Sequence, residues 1–300
     1  MQLAVVLNVA GGTLKKIERD EAKRLIERGL ADGGHDASVE MVEPNGVEIA
    51  IRRALDRGVD GVVAGGGDGT ISHATNLLAD TGKAMGVLPL GTLNLFARDL
   101  DMPLQLSDAV HALATADRME IDVAEVNGRV FAIHASLGVY PWVLRRRDEQ
   151  QSRFGWTKWP AFGRAALKAL SNHPVLKAQL DIDGEQRDVE TPLLMVACNP
   201  VADHAGPLLR RDALASGKLV LYIGRNNGTK GLLKIGVDAL RGTWNQSNAL
   251  DNVECERLTV HSRRRRLVVA LDGEVDALET PLRFHVRPRA LTVLKPKAAA

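Results

Sequence analysis

Four short segments of this sequence carry residues whose types and spacing can do chemistry. Gly65-Gly66-Gly67-Asp68-Gly69-Thr70 follows the apolar run Val59 to Ala64 and precedes Ala74, Leu77 and Leu78 at helical spacing. Glycines at such a strand-to-helix turn let the backbone take positive φ and keep side chains off the amides, so that successive N–H groups can face a phosphate. The dipole of the following helix favours the same anion. Asp68 itself repels phosphate, so its expected work is to hold Mg²⁺ or water, or to orient neighbouring loops. Asn8-Val9-Ala10-Gly11-Gly12 and Gly91-Thr92-Leu93-Asn94 are two further polar glycine turns, each after an apolar run; the first, taken alone, is as readily a plain strand-to-helix turn. Asp272-Gly273-Glu274 sets two carboxylates at a tight bend, suited either to taking a proton from an alcohol or to a hairpin turn with two solvated acids.

The elements that must position these turns are legible in the apolar pattern. Leu3 to Leu7 opens the chain as a short buried strand with no basic leader before it, and Thr13 stands as N-cap of a helix marked by Leu14, Ile17, Ala22, Leu25, Ile26 and Leu30. Ala37 to Val42, Val59 to Ala64 and Met85 to Leu88 are further strands, with helices over 47–58, from Ala74, up to Leu100 and over 107–116 between and after them. Strands alternating with helices predict a parallel, three-layer α/β domain whose turns gather at the carboxyl ends of the strands, where such sheets bind ligands. Beyond residue 117 the pattern changes. Met119 to Val126 and Arg129 to Ser136 flank the hairpin signal Asn127-Gly128, and Lys177 to Ile182 with Gln186 to Glu190 flank Asp183-Gly184. Leu193 to Cys198, Lys218 to Ile223, Val253 to His261, Leu267 to Leu271, Leu282 to Val286 and Leu291 to Leu294 add strands, and residues 295–300 form a frayed tail.

Composition bounds the function. The 300 residues are 45% apolar, 25% charged and 4% aromatic, which excludes disorder and collagen-like structure and fits two domains. Lys plus Arg number 39 against 37 for Asp plus Glu, so the net charge of +2 excludes a dedicated nucleic-acid coat. Cys198 and Cys255 are the only cysteines, too few for a disulfide framework, and a reducing compartment is expected. No stretch approaches the roughly 18 consecutive apolar residues of a membrane span.

Gly65 to Thr70, then Leu88-Pro89-Leu90-Gly91-Thr92-Leu93-Asn94-Leu95-Phe96-Ala97-Arg98-Asp99-Leu100, then Leu271-Asp272-Gly273-Glu274, in that order, resemble the diacylglycerol kinase catalytic-domain family, which includes bacterial lipid kinases and sphingosine kinases and is related to NAD kinases. The resemblance implies an N-terminal three-layer α/β nucleotide-binding domain over 1–117 and a β-rich, β-sandwich substrate domain over 118–300, the last strand returning to the first domain and the active site lying in the cleft between them. It implies an ATP-dependent lipid kinase that moves the γ-phosphoryl group to the hydroxyl of a lipid such as diacylglycerol. Gly66, Gly67, Asp68, Gly69 and Thr70 would cradle the phosphates, Asn8, Gly11 and Gly12 would line the nucleotide site, and Thr92 and Asn94 would contact it. Asp272, Glu274 and Asp68 would be catalytic, with Mg²⁺ on Asp68. Four departures from the family pattern stand out: Ser72 and His73 in place of Asn and Glu, Leu95 in place of Asp, Val9 in place of Pro, and Leu214-Ala215-Ser216-Gly217 in place of a Leu-Asp-Asp-Gly segment. The last removes both carboxylates of a structural Mg²⁺ site. The alternatives are an NAD kinase-like enzyme, which shares the Gly-Gly-Asp-Gly-Thr turn, and a nucleotide-binding regulator without catalysis.

The expected setting is cytoplasmic, peripheral at the inner membrane, with a lipid substrate at the bilayer, no nucleic acid, and a homodimer left open. Tyr140, Trp142, Phe154, Trp156, Trp159 and Phe162 interleave with Arg145, Arg146, Arg147, Arg153, Lys158 and Arg164, a composition that suits a lipid interface or a helical lid. Arg263 to Arg266 is a basic run leading into a strand, read as a solvated edge that blocks sheet extension. His73 is read as a solvent-facing or core-satisfied histidine, and no zinc spacing or nucleophile elbow occurs.

Overall fold

The computed structural model describes residues 1–12, 14, 17–145, 174–203, 209–211, 213–225 and 228–297. The chain divides into two compact units, Met1–Val123 with Arg287–Ala300, and Ala124–Val286. The boundary thus lies beyond the expected 117, because the strand that begins at Asp117 runs unbroken to Val126 and crosses it.

In the first unit β1 (Gln2–Asn8), β2 (Asp36–Val42), β3 (Gly61–Gly66) and β4 (Ala84–Pro89) form a parallel sheet in the order β2-β1-β3-β4. Strands β3 and β4 are buried along their whole length, as apolar runs in a two-sided sheet must be. Helices α1 (Arg19–Asp32), α2 (Val47–Asp56), α3 (Asp68–Leu78), the short α4 (Leu95–Asp99) and α5 (Leu106–Ala114) cover it, α1 packing on α5 and α2 on α3. Helix α1 buries Ala22, Ile26 and Leu30 and starts at Arg19, later than the expected Thr13. The delay has a local cause: the chain first turns at Asn8, whose carbonyl accepts the Gly11 amide at 3.0 Å, and then sinks Leu14 into the core. Residue 13 lies outside the described residues.

The second unit starts from the rest of β5 (Asp117–Val126), which pairs with β6 (Arg129–Phe131) through Val126 and Arg129. Asn127 and Gly128 between them take φ of 47° and 82°, the left-handed pair that a two-residue hairpin demands. A six-stranded antiparallel sheet follows the order β12-β11-β10-β7-β14-β15, where β7 is His134–Gly138, β10 Leu193–Cys198, β11 Leu219–Gly224, β12 Leu250–Cys255, β14 Arg266–Leu271 and β15 Glu274–Glu279. Facing it are β8 (Leu176–Ile182), β9 (Glu185–Thr191), β13 (Arg257–His261) and the start of β16 (Leu282–Lys295). Leu194, Val196, Leu221, Leu137, Leu180, Val260, Leu282 and Phe284 meet in one core between the two layers, so this unit is a β-sandwich.

Two expected strands are each two. Arg129 to Ser136 breaks at 132–133 into β6 and β7, and Val253 to His261 breaks at Glu256 into β12 and β13; in each case the chain leaves one sheet for the other. Conversely, Leu282 to Val286 and Leu291 to Leu294 are one strand, β16, bulged at Arg289, whose φ is 52° and whose amide donates to the buried Asp122 carboxylate at 2.9 Å. Its latter half joins the first unit parallel to β4, pairing Thr292 with Ala84 and Val293 with Met85. Lys295 is therefore strand rather than tail and pairs with Asp101 at 3.3 Å; residues 298–300 lie outside the described residues. A helix that the apolar pattern had not suggested, α6 (Gly228–Arg241), lies on the outer face of the six-stranded sheet, where Ile235 packs with Met195, Tyr222 and Trp244. The basic run forms the link from β13 to β14, with Arg265 and Arg266 paired to Glu279 at 3.8 and 3.2 Å. Of the aromatic and basic segment 140–164, residues 140–145 are helical, Trp142 packs on Val143, and Tyr140 meets the His134 ring at 5.9 Å. Residues 146–164 lie outside the described residues.

Candidate functional site

The order β2-β1-β3-β4 reverses direction between β1 and β3, and open α/β sheets bind ligands in the crevice at the carboxyl ends of such a pair. Asn8 closes β1 at this point. Its Oδ1 accepts the Ala10 amide at 3.0 Å and its Nδ2 donates to Thr70 Oγ1 at 2.9 Å, bridging the end of β1 to the first turn of α3. Gly11 is buried beside Leu90, and Gly12 is exposed with open space around it.

The glycine segment works differently from expectation. Gly65 and Gly66 end β3, Asp68, Gly69 and Thr70 are the first turn of α3, and Gly67 alone stands between with φ −87° and ψ −178°, extended backbone open to any residue. None of these glycines takes positive φ. What demands glycine is close approach. A Cβ on Gly66 would lie 2.4 Å from Thr70 Oγ1, and one on Gly91 would lie 2.4 Å from the Gly67 Cα, so the loops after β3 and β4 touch backbone to backbone.

Asp68 holds the two loops together. At the first position of α3, where the dipole favours a carboxylate, its oxygens accept the amides of Asn94 at 3.2 Å and Leu95 at 2.7 Å. Those amides open α4 and have no acceptor within that helix. Asn94, buried with φ 51°, turns its side chain back on Gly91, accepting the Gly91 amide at 2.9 Å and donating to its carbonyl at 3.1 Å. Thr92 stands exposed at the tip, and His73 is exposed one turn along α3. Asn8, Gly11, Gly66, Gly67, Asp68, Gly69, Thr70 and Asn94 are thus one connected edge within the first unit.

Asp272 and Glu274 sit in the second unit. Asp272 and Gly273, with φ of 47° and 91°, form the two-residue turn between β14 and β15, and Leu271 pairs across it with Glu274. Asp272 is buried, and its carboxylate accepts three amides: Ala132 at 2.7 Å, Ile133 at 2.9 Å and His134 at 3.0 Å. These amides lie at the break where β6 gives way to β7. Burial pushes the Asp272 carboxyl above its ordinary value, while the three amides and the Arg211 guanidinium pull the other way. Arg211, itself buried, donates to the carbonyls of Ala132 and Cys198 and so fixes the same corner from the other side. Glu274, by contrast, is half-buried at the start of β15. No motif pointed to Arg211, because a buried arginine in a loop leaves no periodic signal. Where Leu214-Ala215-Ser216-Gly217 replaces two carboxylates, Ser216 donates through its amide at 2.8 Å and its hydroxyl at 2.6 Å to Asn199 Oδ1, and the loop is held by a side-chain amide.

Two family models match the chain. The diacylglycerol kinase catalytic domain covers residues 2–126, and the YegS C-terminal NAD kinase β-sandwich-like domain covers residues 134–295. The chain belongs to this family of lipid kinases. A Staphylococcus haemolyticus protein named as a lipid kinase is 28% identical over 239 residues, which are 79% of this chain and 76% of that protein. A YegS-like protein of Klebsiella pneumoniae, also named as a lipid kinase, is 37% identical over 112 residues, 36% of this chain and 38% of its own. Among solved structures, a Bacillus anthracis protein described as a diacylglycerol kinase superposes with a TM-score of 0.80 at 20% identity, over 100% of this chain and 96% of that one. That likeness supports the two-domain fold of the family.

Members of a kinase family use a nucleotide and, as a rule, a divalent metal. Among the described residues no three His, Cys, Asp or Glu side chains gather into a metal cluster. Mg²⁺, where a kinase uses it, keeps waters and binds through one or two carboxylates plus substrate phosphates. Asp68, half-buried at the edge that Asn8, Gly67 and Thr70 share, is a carboxylate that fits such a role and would hold the metal together with the phosphates.

Proposed function

We propose that the protein transfers the γ-phosphoryl group of ATP to the hydroxyl of a lipid alcohol such as diacylglycerol at a membrane surface. One observation carries the reading: Asp68 binds the amides of Asn94 and Leu95 and so locks two ligand loops edge to edge beside the strand-order reversal. That makes a rigid seat for phosphates rather than a pliant glycine flap. The first-turn amides of α3 lack intrahelical acceptors and would receive the triphosphate, while Asn8 and Thr70, bonded to each other, would form its floor. Mg²⁺ held by the phosphates and Asp68 would neutralise charge developing on the transferred group. In the second unit Asp272, held by three amides, positions the turn, and Glu274 accepts the proton of the lipid hydroxyl. Since the matching C-terminal model is NAD kinase-like by description, NAD is the second acceptor to test.

The test is transfer of radiolabelled phosphate from Mg-ATP to a panel of lipid alcohols and NAD. Labelled lipid is expected, and Asp68→Ala should lower its formation by roughly 10²-fold or more with the protein still folded. Labelled NAD alone would shift the reading to the NAD kinases, and unchanged turnover in Asp68→Ala would remove Asp68 from the site.

A further inference from the structure

Helix α6 carries an apolar stripe on the side turned away from the protein. Leu233, Val237 and Leu240 are 51%, 41% and 59% exposed. At 100° per residue they fall within about 60° of arc, one continuous strip down the helix. The other large exposed apolar side chains among the described residues, Leu25, Ile49 and Leu104, stand on separate elements. Lys230, Lys234 and Arg241, all exposed, line one flank of the strip. The only acid of the helix, Asp238, points inward: it is 6% exposed, accepts Ser247 Oγ at 2.5 Å and pairs with Lys234 Nζ at 3.0 Å. The Ser247 hydrogen bond, then Lys234, hold its carboxyl below the ordinary value, so it stays charged and paired.

The inner side anchors the helix without the strip. Ile235 is 6% exposed against Met195, Tyr222 and Trp244, and the Thr243 amide returns to the Asp238 carbonyl at 2.9 Å. A helix anchored on one side, apolar on the other and flanked by cations alone has the amphipathic character of one that lies in a lipid interface. We infer that α6 docks the enzyme on an anionic bilayer, Leu233, Val237 and Leu240 entering the acyl boundary while Lys230 and Arg241 meet the headgroups. The inference rests on the reading of the chain as a lipid kinase, whose acceptor lies in a membrane. It sets the docking element on α6, apart from the aromatic and basic segment around residues 140–164.

The experiment uses the full chain with vesicles of phosphatidylglycerol and phosphatidylcholine in equal parts, and of phosphatidylcholine alone. Co-sedimentation should favour the anionic vesicles and weaken with salt. Replacing Leu233, Val237 and Leu240 together by Ser should lower partitioning by about tenfold or more, and Lys230→Glu with Arg241→Glu should abolish the preference for anionic lipid. The triple variant should melt at the wild-type temperature or above, and its transfer to a short-chain, water-soluble lipid alcohol should be unchanged. Normal vesicle binding by the triple variant overturns the proposal, as does a markedly lower melting temperature, which would make the strip part of the packing. A dimer in lipid-free ultracentrifugation that the triple variant converts to monomer would overturn it in favour of a second copy of the chain. If the wild type phosphorylates the soluble alcohol but never sediments with vesicles, docking fails and the kinase reading stands; vesicle binding without any lipid phosphorylation sinks the kinase reading alone.

Discussion

The tripeptide Asp-Gly-Glu occurs twice in the second unit, at 183–185 and at 272–274, and the two copies build the same local structure. Each Asp-Gly pair forms a two-residue left-handed turn, with φ of 50° and 97° in one and 47° and 91° in the other. In each the aspartate carboxylate accepts amides from a place where the chain changes sheets: Glu256 and Arg257 for Asp183, and Ala132, Ile133 and His134 for Asp272. Each aspartate amide also returns to a carbonyl there, Arg257 at 3.1 Å and His134 at 3.0 Å. Asn127 does likewise at the third corner, accepting the Arg283 amide at 2.9 Å and donating to the carbonyls of Glu279 and Pro281. Holding a sheet-to-sheet corner is therefore a task of the sandwich as such. What sets the second copy apart is its surroundings: Asp183 and Glu185 are exposed, whereas Asp272 is buried beside Arg211 and Glu274 is half-buried. The copy at 272–274 thus has the drier environment, where a low local dielectric strengthens each charge that it holds.

The sharpest way to break this contrast is to truncate both aspartates. Asp272→Ala strands three buried amides and removes the carboxylate charge near Arg211, and should cost about 3–5 kcal/mol in denaturant unfolding. Asp183→Ala, where water replaces the carboxylate, should cost about 1 kcal/mol or less. Equal losses would mean that burial at the second corner does not matter. Next come the glutamates. Glu274→Gln should slow phosphoryl transfer by roughly 10²-fold at unchanged KM for ATP, and Glu185→Gln should leave both constants alone. A matching effect of the two would make the tripeptide, rather than its setting, the functional unit. In the first unit Gly91→Ala should destabilise by about 1–3 kcal/mol, because its Cβ meets Gly67 backbone rather than a flexible side chain; Gly12→Ala, with nothing near its Cβ, should be neutral in stability.

The smallest effect is expected in alkali. Burial first, and the Asp183 charge next, push the Cys255 thiol from 9.0 up to about 12. Burial likewise moves the Tyr222 hydroxyl from 10.0 up to about 12. A group whose value is raised in the folded state contributes stability below its unfolded value and loses it as pH climbs through the folded one. Unfolding free energy should hold up to about pH 9 and decline between there and about pH 12. Asp183→Asn should leave the onset in place but make the decline slightly smaller and end it at lower pH, its loss of charge narrowing the gap between the two thiol values; Asp272→Asn should not alter the decline. Slow alkylation of Cys255 by iodoacetamide at neutral pH, until denaturant is added, checks the same burial.

The parallel half of the fold and the three hairpin turns were legible because apolar periodicity and Asn-Gly or Asp-Gly pairs are local signals. The corners were not. Arg129 to Ser136 is apolar straight through its break at 132–133, Val253 to His261 holds no glycine or proline at its break, and the side chains that hold the bends, Asp272 and Asp183, lie far away in sequence. The candidate site residues of the first unit stood out by type, yet the reason for their glycines did not: composition shows that small residues are present, whereas the contact of Gly91 with Gly67 exists only once β3 and β4 are neighbours. Helix α6 went unseen because its outward Leu233, Val237 and Leu240 and inward Ile235 blur the single apolar stripe that marks a surface helix.

Strand β16 has a consequence for how the molecule is made. Residues 287–297 complete the sheet of the first unit, where Thr292 and Val293 pair with β4 and the Asp80 amide donates to the Ala290 carbonyl at 2.7 Å. On the ribosome, residues 1–123 emerge with one flank of β4 still unpaired, and an open strand edge is a template for aggregation. The first unit can close only after the whole sandwich has been synthesised. Nascent chains stalled before residue 290 should accordingly be held by chaperones or digested, whereas release of the last few strand residues brings protease resistance to both halves together.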